Sequence, residues 1–271
     1  MSTSSLQDKV ILVSGSTLGI GKATAEAIVA AGGKVMIHGR NEQRASELAA
    51  ELGENAAYHL ADLHDVAALH AMVEATVTKF GKIDGLVNNA GIYPRDDVET
   101  LTPEFFDDIF TINAKAPLFL AQAAIKAFKQ QKSPGAIVNI GSINAYAGES
   151  EMTVYPMTKG ALMTMTRSLS ERYCYDGIRT NQLNLGWILT QTESARMVEE
   201  GYPENWEQQI DPAYAPSGQL LRPEECAEHV VFWLSDASAP VSGQVYEVEQ
   251  YPVIGRNMIN LMRPRCISKA K

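Results

Sequence analysis

Tyr155, Lys159 and Ser142 are the side chains whose types and spacing best suit proton transfer. A tyrosine is a weak acid near neutral pH, since its unperturbed pKa is about 10. A nearby ammonium lowers that pKa, and residues four apart in a helix share a face. The Ser142 hydroxyl follows an apolar stretch and is suited to donate to an oxygen on which charge develops. The set predicts acid–base chemistry at a carbonyl or alcohol oxygen, whereas Tyr155 and Lys159 alone also fit a surface pair.

A glycine-rich stretch, SGSTLGIG, runs from Ser14 to Gly21. Glycines let the backbone approach a phosphate closely or adopt positive φ, and a helix N-terminus behind them attracts an anion. The stretch lies between a predicted first strand and a predicted first helix, which is where dinucleotide-binding folds hold a pyrophosphate. The alternative is a tight strand–helix turn that binds no ligand.

The end of the second predicted strand bears on the choice of dinucleotide. An acidic residue at that point binds a ribose 2′-hydroxyl, and a nearby arginine accommodates a 2′-phosphate. The strand ends His38-Gly39-Arg40, with a cation and without an acid. The sequence therefore favours NADP(H), with NAD(H) as the less favoured cofactor. The alternative for Arg40 is a solvated surface charge.

Alternating strand-like and helix-like segments must position these residues. The predicted strands are 9–13, 35–38, 56–60, 85–87, 136–140, 180–185 and 245–248, and the predicted helices are 20–31, 42–52, 66–80, 103–130, 155–175 and 223–234. This alternation predicts an α/β fold, a doubly wound, Rossmann-like parallel sheet of about seven strands. We expect a single dinucleotide-binding and catalytic domain over residues 1–271, with a substrate-loop insertion at about 187–219.

Ordered motifs between about Lys9 and Val248 resemble the short-chain dehydrogenase/reductase family, in the branch with shorter chains. They are the spacing Gly-x3-Gly-x-Gly from Gly15, the run Asn88-Asn89-Ala90-Gly91, Ser142, and Tyr155-x3-Lys159. Asp62 matches the family's adenine contact. Ser14 stands where the family has threonine, and Leu185 where it has proline. Many NADP(H)-dependent members have a basic residue at the position of Leu18, which this chain lacks.

The resemblance implies a set of catalytic and cofactor-binding residues and no metal. The catalytic residues would be Asn113, Ser142, Tyr155 and Lys159. Asn113 would bend its helix and hold a water for a proton relay through the lysine, although it also fits a hydrogen-bonding residue inside a helix. The cofactor-binding residues would be Gly15, Thr17, Leu18, Gly19, Ile20, Arg40, Asp62, Leu63, Asn89, Ala90, Gly91, Tyr155, Lys159, Gly186, Ile188 and Thr190.

These features together predict an oxidoreductase that moves a hydride between NADP(H) and a small carbonyl or secondary alcohol, such as a sugar, polyol or ketone. Substrate contacts are expected from Tyr93, Arg95, Asn144, Tyr146, Glu151, Trp187, Tyr202 and Trp206. One alternative is a nucleotide-sensing or scaffold protein on the same fold, which should have lost the tyrosine or lysine. Another is a nucleotide-sugar epimerase or dehydratase, which has a longer chain and a different glycine spacing.

The composition and net charge limit the classes of molecule that this chain is expected to bind. The 271 residues include 23 Lys plus Arg and 32 Asp plus Glu, a net charge of −9 that disfavours nucleic acid and anionic membranes. Cys174, Cys226 and Cys266 lack CxxC spacing, so neither a disulfide framework nor a zinc site is predicted. No signal peptide or spanning segment is visible, and we expect a cytoplasmic protein. The family resemblance implies a homo-oligomer, with a tetramer favoured.

Overall fold

The computed structural model describes residues 5–212 and 214–251, and their strands form one parallel sheet in the order β3-β2-β1-β4-β5-β6-β7. The strands are β1 (Val10–Val13), β2 (Lys34–Gly39), β3 (Ala56–Leu60), β4 (Gly85–Asn88), β5 (Gly135–Ser142), β6 (Ile178–Leu185) and β7 (Val245–Val248). The predicted seven-stranded doubly wound sheet is therefore confirmed. The tail from residue 252 and Cys266 lie outside the described residues.

Nine helices in the described residues connect and cover these strands. They are α1 (Gly19–Ala30), α2 (Glu42–Leu52), α3 (Val66–Phe80), α4 (Pro103–Phe110), α5 (Ala116–Gln131), α6 (Asn144–Ala147), α7 (Val154–Tyr173), α8 (Gln191–Glu199) and α9 (Pro223–Leu234). One apolar cluster packs α1, α2 and α9 against one face of the sheet. A second packs α3 and α5 against the other face, so the central strands are buried on both sides.

Two segments differ from the sequence-based prediction. The helix expected over residues 103–130 is divided into α4 and α5 by a π-helical turn, Thr111–Lys115. π turns inside helices are rare and occur frequently at functional sites. The segment 187–219 contains α8 and a small cluster of its own around the fully buried Trp206. Within the described part of the chain, no helix combines the length and apolar character needed to cross a bilayer.

The strand order places the functional segments at one edge of the sheet. The order reverses between β1 and β4, because β1 continues to β2 on one side while β4 continues to β5 on the other. In open α/β sheets, ligands bind beyond the carboxyl ends of the strands at such a reversal. The glycine-rich stretch follows β1, and Asn89 to Gly91 follow β4, so both lie at this point.

Candidate active site

The loops after β1 and β4 are joined by hydrogen bonds that leave little freedom between them. The Ser14 hydroxyl oxygen accepts from the backbone N–H groups of Asn89 and Ala90, at 3.0 and 3.1 Å. The Asn89 amide donates back to the carbonyls of Ser14 and Gly15, both at 2.9 Å. Gly15 has φ +63°, and a Cβ there would lie 2.9 Å from Ala90, so this position requires glycine. The hydroxyl that Ser14 shares with threonine thus holds the two motifs together.

The start of α1 offers backbone donors for an anion. Leu18 precedes the helix and provides no side-chain hydrogen bond to its first turn. The N–H groups of that turn and the helix dipole therefore favour a phosphate at this place. A negatively charged pyrophosphate bound at this turn fits the open helix end.

His38, which has no function assigned from the sequence, supports the glycine-rich turn between β1 and α1. Its ring Nδ1 accepts the backbone N–H of Gly15 at 2.9 Å, and its Nε2 lies 3.2 Å from the carbonyl oxygen of Ala61. The Ser16 hydroxyl accepts the His38 backbone N–H at 2.9 Å. Burial lowers the pKa of His38, which keeps the imidazole neutral and its Nδ1 an acceptor.

Arg40 and Asp62 lie at the tips of β2 and β3, where the adenosine half of a dinucleotide would be held. Arg40 is exposed, and its charge helps to lower the pKa of Asp62, after the larger contributions from hydrogen bonds donated by His64. Gly39 is buried, and a Cβ there would lie 2.6 Å from Cγ2 of Thr17. An acidic side chain at this position therefore requires Thr17 to move.

Ser142, Tyr155 and Lys159 converge where β5 ends and α7 begins. Ser142 is the last residue of β5; its hydroxyl oxygen accepts the Asn144 N–H at 3.2 Å and interacts with the Tyr155 hydroxyl. The Lys159 Nζ lies 5.5 Å from the centroid of the tyrosine ring and donates to the carbonyl oxygen of Ile140 at 2.9 Å. The structure thus brings together the three residues with which the sequence analysis began.

Burial shifts both ionisable groups of this set toward their neutral forms. Desolvation raises the pKa of Tyr155 to about 12, although the Ser142 hydrogen bond opposes the shift. Desolvation also lowers the pKa of Lys159 to about 8. The phenol is therefore protonated in the resting protein, and a positive charge brought beside it would lower its pKa. The lysine is able to exchange a proton close to physiological pH.

Asn113 lies in the π turn between α4 and α5 and is almost fully buried. Its Oδ1 accepts the Ile92 N–H at 2.9 Å, and its Nδ2 donates to the Ile92 carbonyl at 2.8 Å and to the Thr158 hydroxyl at 3.2 Å. A Cβ on Gly91 would lie 3.3 Å from Asn113 Oδ1 and 3.5 Å from Lys159 Nζ. Asn113 therefore anchors the loop after β4 to the helix that carries Tyr155. Its role in a water relay stays a prediction.

A cavity of about 920 Å³ opens above Ser142, Tyr155 and Lys159. The predicted cofactor residues that line it are Ile20, Asn89, Gly91, Tyr155, Lys159, Gly186, Ile188 and Thr190. A second cavity, of about 510 Å³, is lined by Thr17, Leu18, Gly19 and again Thr190. Gly15, Ala90, Arg40, Asp62 and Leu63 line neither cavity but lie at the same edge of the sheet, beyond the ends of β1 to β4.

The predicted substrate contacts are only partly brought to this cavity. Those that line it are Tyr93, Arg95, Asn144, Glu151, Trp187 and Tyr202. Trp206 does not, because it is fully buried and stacks on Trp187 with ring centroids 5.4 Å apart. Tyr146 is 44% exposed and lies outside the cavity. Lining residues that the sequence analysis missed include Glu149, Glu193, Arg196, Glu200 and Tyr214. The three-then-four spacing of Glu193, Arg196 and Glu200 was a signal that could have identified the α8 face.

Asp96 caps the helix that carries Tyr155. Its two carboxylate oxygens accept the backbone N–H groups of Thr153, at 2.8 Å, and Val154, at 2.9 Å. A carboxylate at a helix N-terminus satisfies free donors and is favoured by the helix dipole. This cap cannot be recognised from the sequence, because Asp96 lies 57 residues away from Thr153 rather than directly before the helix.

Comparisons with known proteins agree with this geometry. Residues 15–250 match the sequence profile of a family described as enoyl-(acyl carrier protein) reductase. A D-beta-hydroxybutyrate dehydrogenase of Cupriavidus necator is 31% identical, over 90% of this chain and 97% of its own. A galactitol 2-dehydrogenase of Agrobacterium fabrum is 30% identical over the same shares. A crystal structure of a 3-ketoacyl-(acyl-carrier-protein) reductase from Brucella melitensis, complexed with NADH, superposes with a TM-score of 0.81 at 30% identity, covering 90% of this chain and 98% of the other.

Proposed function

The chain belongs to the short-chain dehydrogenase/reductase family and is an oxidoreductase, and we propose that it interconverts a small secondary alcohol and its carbonyl form with NADP(H). The observation that carries this proposal is the convergence of Ser142, Tyr155 and Lys159 beneath one cavity, beside the glycine-rich turn. The nicotinamide, when bound, supplies or accepts the hydride. Every other step belongs to side chains of the protein.

The three side chains divide the proton chemistry among them. Ser142 donates a hydrogen bond to the substrate oxygen as negative charge develops there. Tyr155 gives its proton to that oxygen during reduction and takes it back during oxidation. Lys159 stabilises the resulting phenolate, and its lowered pKa of about 8 lets it pass the proton onward. Asn113 is proposed to hold the water at the far end of this path.

Replacing Tyr155 by phenylalanine tests the mechanism. The Tyr155→Phe variant should lose about 10²- to 10⁴-fold in kcat, because a general acid–base group contributes that much. Its dissociation constants for cofactor should change little. The measurement combines nicotinamide absorbance on a panel of sugars, polyols, hydroxy acids and ketones with cofactor titration by fluorescence. Turnover by Tyr155→Phe at the rate of the unaltered enzyme would contradict the proposal.

The preference for NADP(H) is supported by Arg40 and Gly39. Arg40 presents an exposed cation beyond β2, and Thr17 occupies the space that an acidic side chain at position 39 would need. A 2′-phosphate needs the cation and is repelled by the acid. Leu18 supplies no second cation, and the Brucella melitensis structure contains NADH, so the preference requires a direct measurement.

Arg40→Ala supplies that measurement. A hydrogen bond to a charged group contributes about 1.5 to 3 kcal/mol, so the variant should bind NADP(H) at least about tenfold more weakly. Binding of NAD(H) should change little, since it lacks the phosphate. Arg172→Ala, in the last turn of α7, removes the same charge away from the site and is the control. Equal losses for both cofactors, or a native preference for NAD(H), would assign Arg40 to the solvated surface.

The substrate is proposed to be a small sugar, polyol or ketone. Relatives of this chain are named for a hydroxy acid and for a polyol, which are both secondary alcohols. The cavity joins aromatic rings, such as Tyr202 and Trp187, to charged side chains, such as Arg95. Aromatic faces pack against C–H groups, and charged groups bind hydroxyls.

A cytoplasmic homo-oligomer, with a tetramer favoured, completes the proposal. Met157 and Leu118, which are 49% and 43% exposed on α7 and α5, are apolar side chains that a neighbouring subunit would cover. Ala161, one turn after Met157, is also exposed, while Met165 is half-buried. Light scattering at micromolar concentration measures the mass, and a monomer would contradict this part of the proposal.

A further inference from the structure

The charged side chains of the substrate cavity come from three separate segments of the chain. Arg95 lies in the loop after β4, and Glu149 lies between α6 and α7. Glu193, Arg196 and Glu200 come from α8 and the residue that follows it. All five line the cavity above the catalytic tyrosine. We call them the Arg–Glu network.

Both guanidinium groups of the network are occupied by carboxylates. Arg95 bonds Glu149 through Nη1 at 3.0 Å and Glu200 through Nε at 3.3 Å. Arg196 bonds Glu200 through Nη1 at 2.7 Å and Glu193 through Nη2 at 2.6 Å. Glu200 is thus shared by the two arginines. A substrate carboxylate or phosphate entering the cavity would meet guanidinium groups whose positive charge these glutamates already compensate.

The charge balance of the cavity also opposes an anion. Apart from Lys159, the described lining residues include four glutamates, one of them Glu151, against two arginines, which leaves a formal charge of −2. Lys159 does not offset this excess at the mouth, because its ammonium is bonded to the Ile140 carbonyl beside Tyr155. Like charges brought together in a partly desolvated site reduce affinity strongly.

Hydroxyl groups meet none of these obstacles. Carboxylate oxygens that already bond an arginine still have lone pairs for an O–H donor, and such charge-assisted bonds are short and strong. The Asn144 amide donates to Glu149 at 2.9 Å, which holds that carboxylate in place at the cavity wall. The rings of Trp187, Tyr202 and Tyr214 line the same cavity and offer apolar faces for C–H groups. Arg95 and Arg196 stand among these glutamates and would repel an ammonium, whereas a hydroxyl carries no net charge, so a neutral ligand fits best.

We infer that the substrate is uncharged and polyhydroxylated, a polyol or the corresponding ketose, and that the Arg–Glu network selects it against carboxylates and phosphate esters. This inference rests on the proposed function and names the substrate class of the same site. Its physical basis is twofold: the network offers acceptors to hydroxyls, and it offers no unpaired guanidinium among the described residues to an anion.

A charge-matched substrate series tests the inference. Several stereoisomeric hexitols are each compared with the aldonate, the terminal phosphate ester and the terminal amine of the same carbon skeleton. With either cofactor, kcat/KM should be highest for a neutral polyol and at least about tenfold lower for its anionic partners. A hydroxy acid, an amine or a simple ketone without hydroxyls as the best substrate would overturn the inference while leaving the proposed function intact. Failure of the whole panel, simple ketones included, would overturn the proposed function instead.

Two variants and a matched control then assign the selection to the network. Glu200→Gln and Glu149→Gln each remove one negative charge from the cavity, from different segments. Each should raise the ratio of aldonate to polyol kcat/KM by about tenfold. Glu199→Gln removes the same charge one residue away, from an exposed side chain that does not line the cavity, and should leave the ratio unchanged. An equal shift in all three variants, or in none, would show that the network does not select the substrate.

Thermal unfolding of the same variants shows whether a changed substrate ratio comes from a destabilised protein. If Glu200→Gln melts far below the unaltered protein, Glu149→Gln still decides the question, because it leaves α8 and its ion pairs with Arg196 in place. A ratio unchanged in a well-folded Glu149→Gln would overturn the inference.

Discussion

On the cofactor side of the cleft, the side chains of Ser14, His38 and Asn89 form hydrogen bonds mostly with backbone groups. On the substrate side, Arg95 forms ion pairs with Glu149 and Glu200. Ser14 and His38 are only 2% exposed. The side chains of Arg95, Glu149 and Glu200 are 25 to 34% exposed. One side of the cleft is therefore part of the folded core, and the other is a partly solvated network on three loops.

This difference matches the two ligands that we propose for the two sides. A dinucleotide is the same molecule whatever is oxidised, so its site is built from backbone positions that the fold itself fixes. Substrate side chains stand on connecting segments, where a residue can change without disturbing the sheet. The cofactor side should consequently respond to mutation through stability, and the substrate side through specificity.

Ser14→Ala should lower the free energy of unfolding most, because it removes a buried hydroxyl group on the cofactor side of the cleft. It leaves the N–H groups of Asn89 and Ala90 without their acceptor, and each unsatisfied buried donor costs about 1 to 3 kcal/mol. We expect the free energy of unfolding to fall by roughly 2 to 4 kcal/mol. Both nicotinamide cofactors should bind more weakly by a similar factor. Urea unfolding and cofactor titration measure the two effects.

Ser14→Thr is the matched control, since it retains the hydroxyl and adds only a methyl group. It should retain most of the stability and cofactor affinity. If Ser14→Ala unfolds within about 0.5 kcal/mol of the unaltered protein, the hydroxyl is not what joins the two loops, and the contrast between the sides of the cleft fails.

Asp96→Ala should have an intermediate effect, because Asp96 links the two sides. It lies in the same loop as Arg95 yet caps α7, which carries Tyr155. Losing a cap costs about 0.5 to 2 kcal/mol, and a displaced helix start should move the tyrosine hydroxyl. We expect kcat to fall about tenfold with little change in the dissociation constant of the cofactor. Steady-state kinetics and cofactor titration separate the two quantities.

Asp96→Asn keeps one acceptor oxygen and should recover most of the lost kcat. Asp97→Ala is the second control, because Asp97 caps only its own turn through the N–H of Glu99. A purely structural role for Asp96 would lower stability and leave kcat of the folded enzyme unchanged. That result would show that the Asp96 cap stabilises the fold but does not position Tyr155.

The cofactor side was largely predictable from the sequence, because it depends on neighbours along the chain. The glycine-rich turn, Asn89 and the four-residue spacing of Tyr155 and Lys159 are local patterns, and the strands before them were predicted to within a few residues. Some residue types are compatible with only one backbone conformation or close contact, as Gly15 is opposite Ala90, so the residue type itself predicts the local structure. The roles of these residues in binding and catalysis remain predictions.

The substrate side was less predictable, because its contacts join distant segments. The bond from Arg95 to Glu200 spans 105 residues, and the spacing of Glu193, Arg196 and Glu200 identifies a helix face without showing that Arg95 pairs with it. Trp206 was expected in the cavity because aromatic residues often line binding sites, but burial against Trp187 placed it in a small core. Long-range pairing and side-chain burial are decided by the assembled fold, so the sequence pattern did not reveal them.

The smallest predicted change in the free energy of unfolding concerns an exposed ion pair on the cofactor side, whose other side chains are mostly buried. His64 lies between Asp62, at 2.8 Å, and Asp108, at 2.7 Å, and these carboxylates raise its pKa. A raised pKa in the folded protein means that the stabilisation is complete below the unfolded value of about 6.5 and is lost as the pH rises through the folded value. The groups are exposed and screened, so His64→Gln should cost about 0.5 kcal/mol or less at pH 6 and still less at pH 9. Urea unfolding at the two pH values checks this, and a gap that widens toward pH 9 would mean that the bridge does not act as an ion pair.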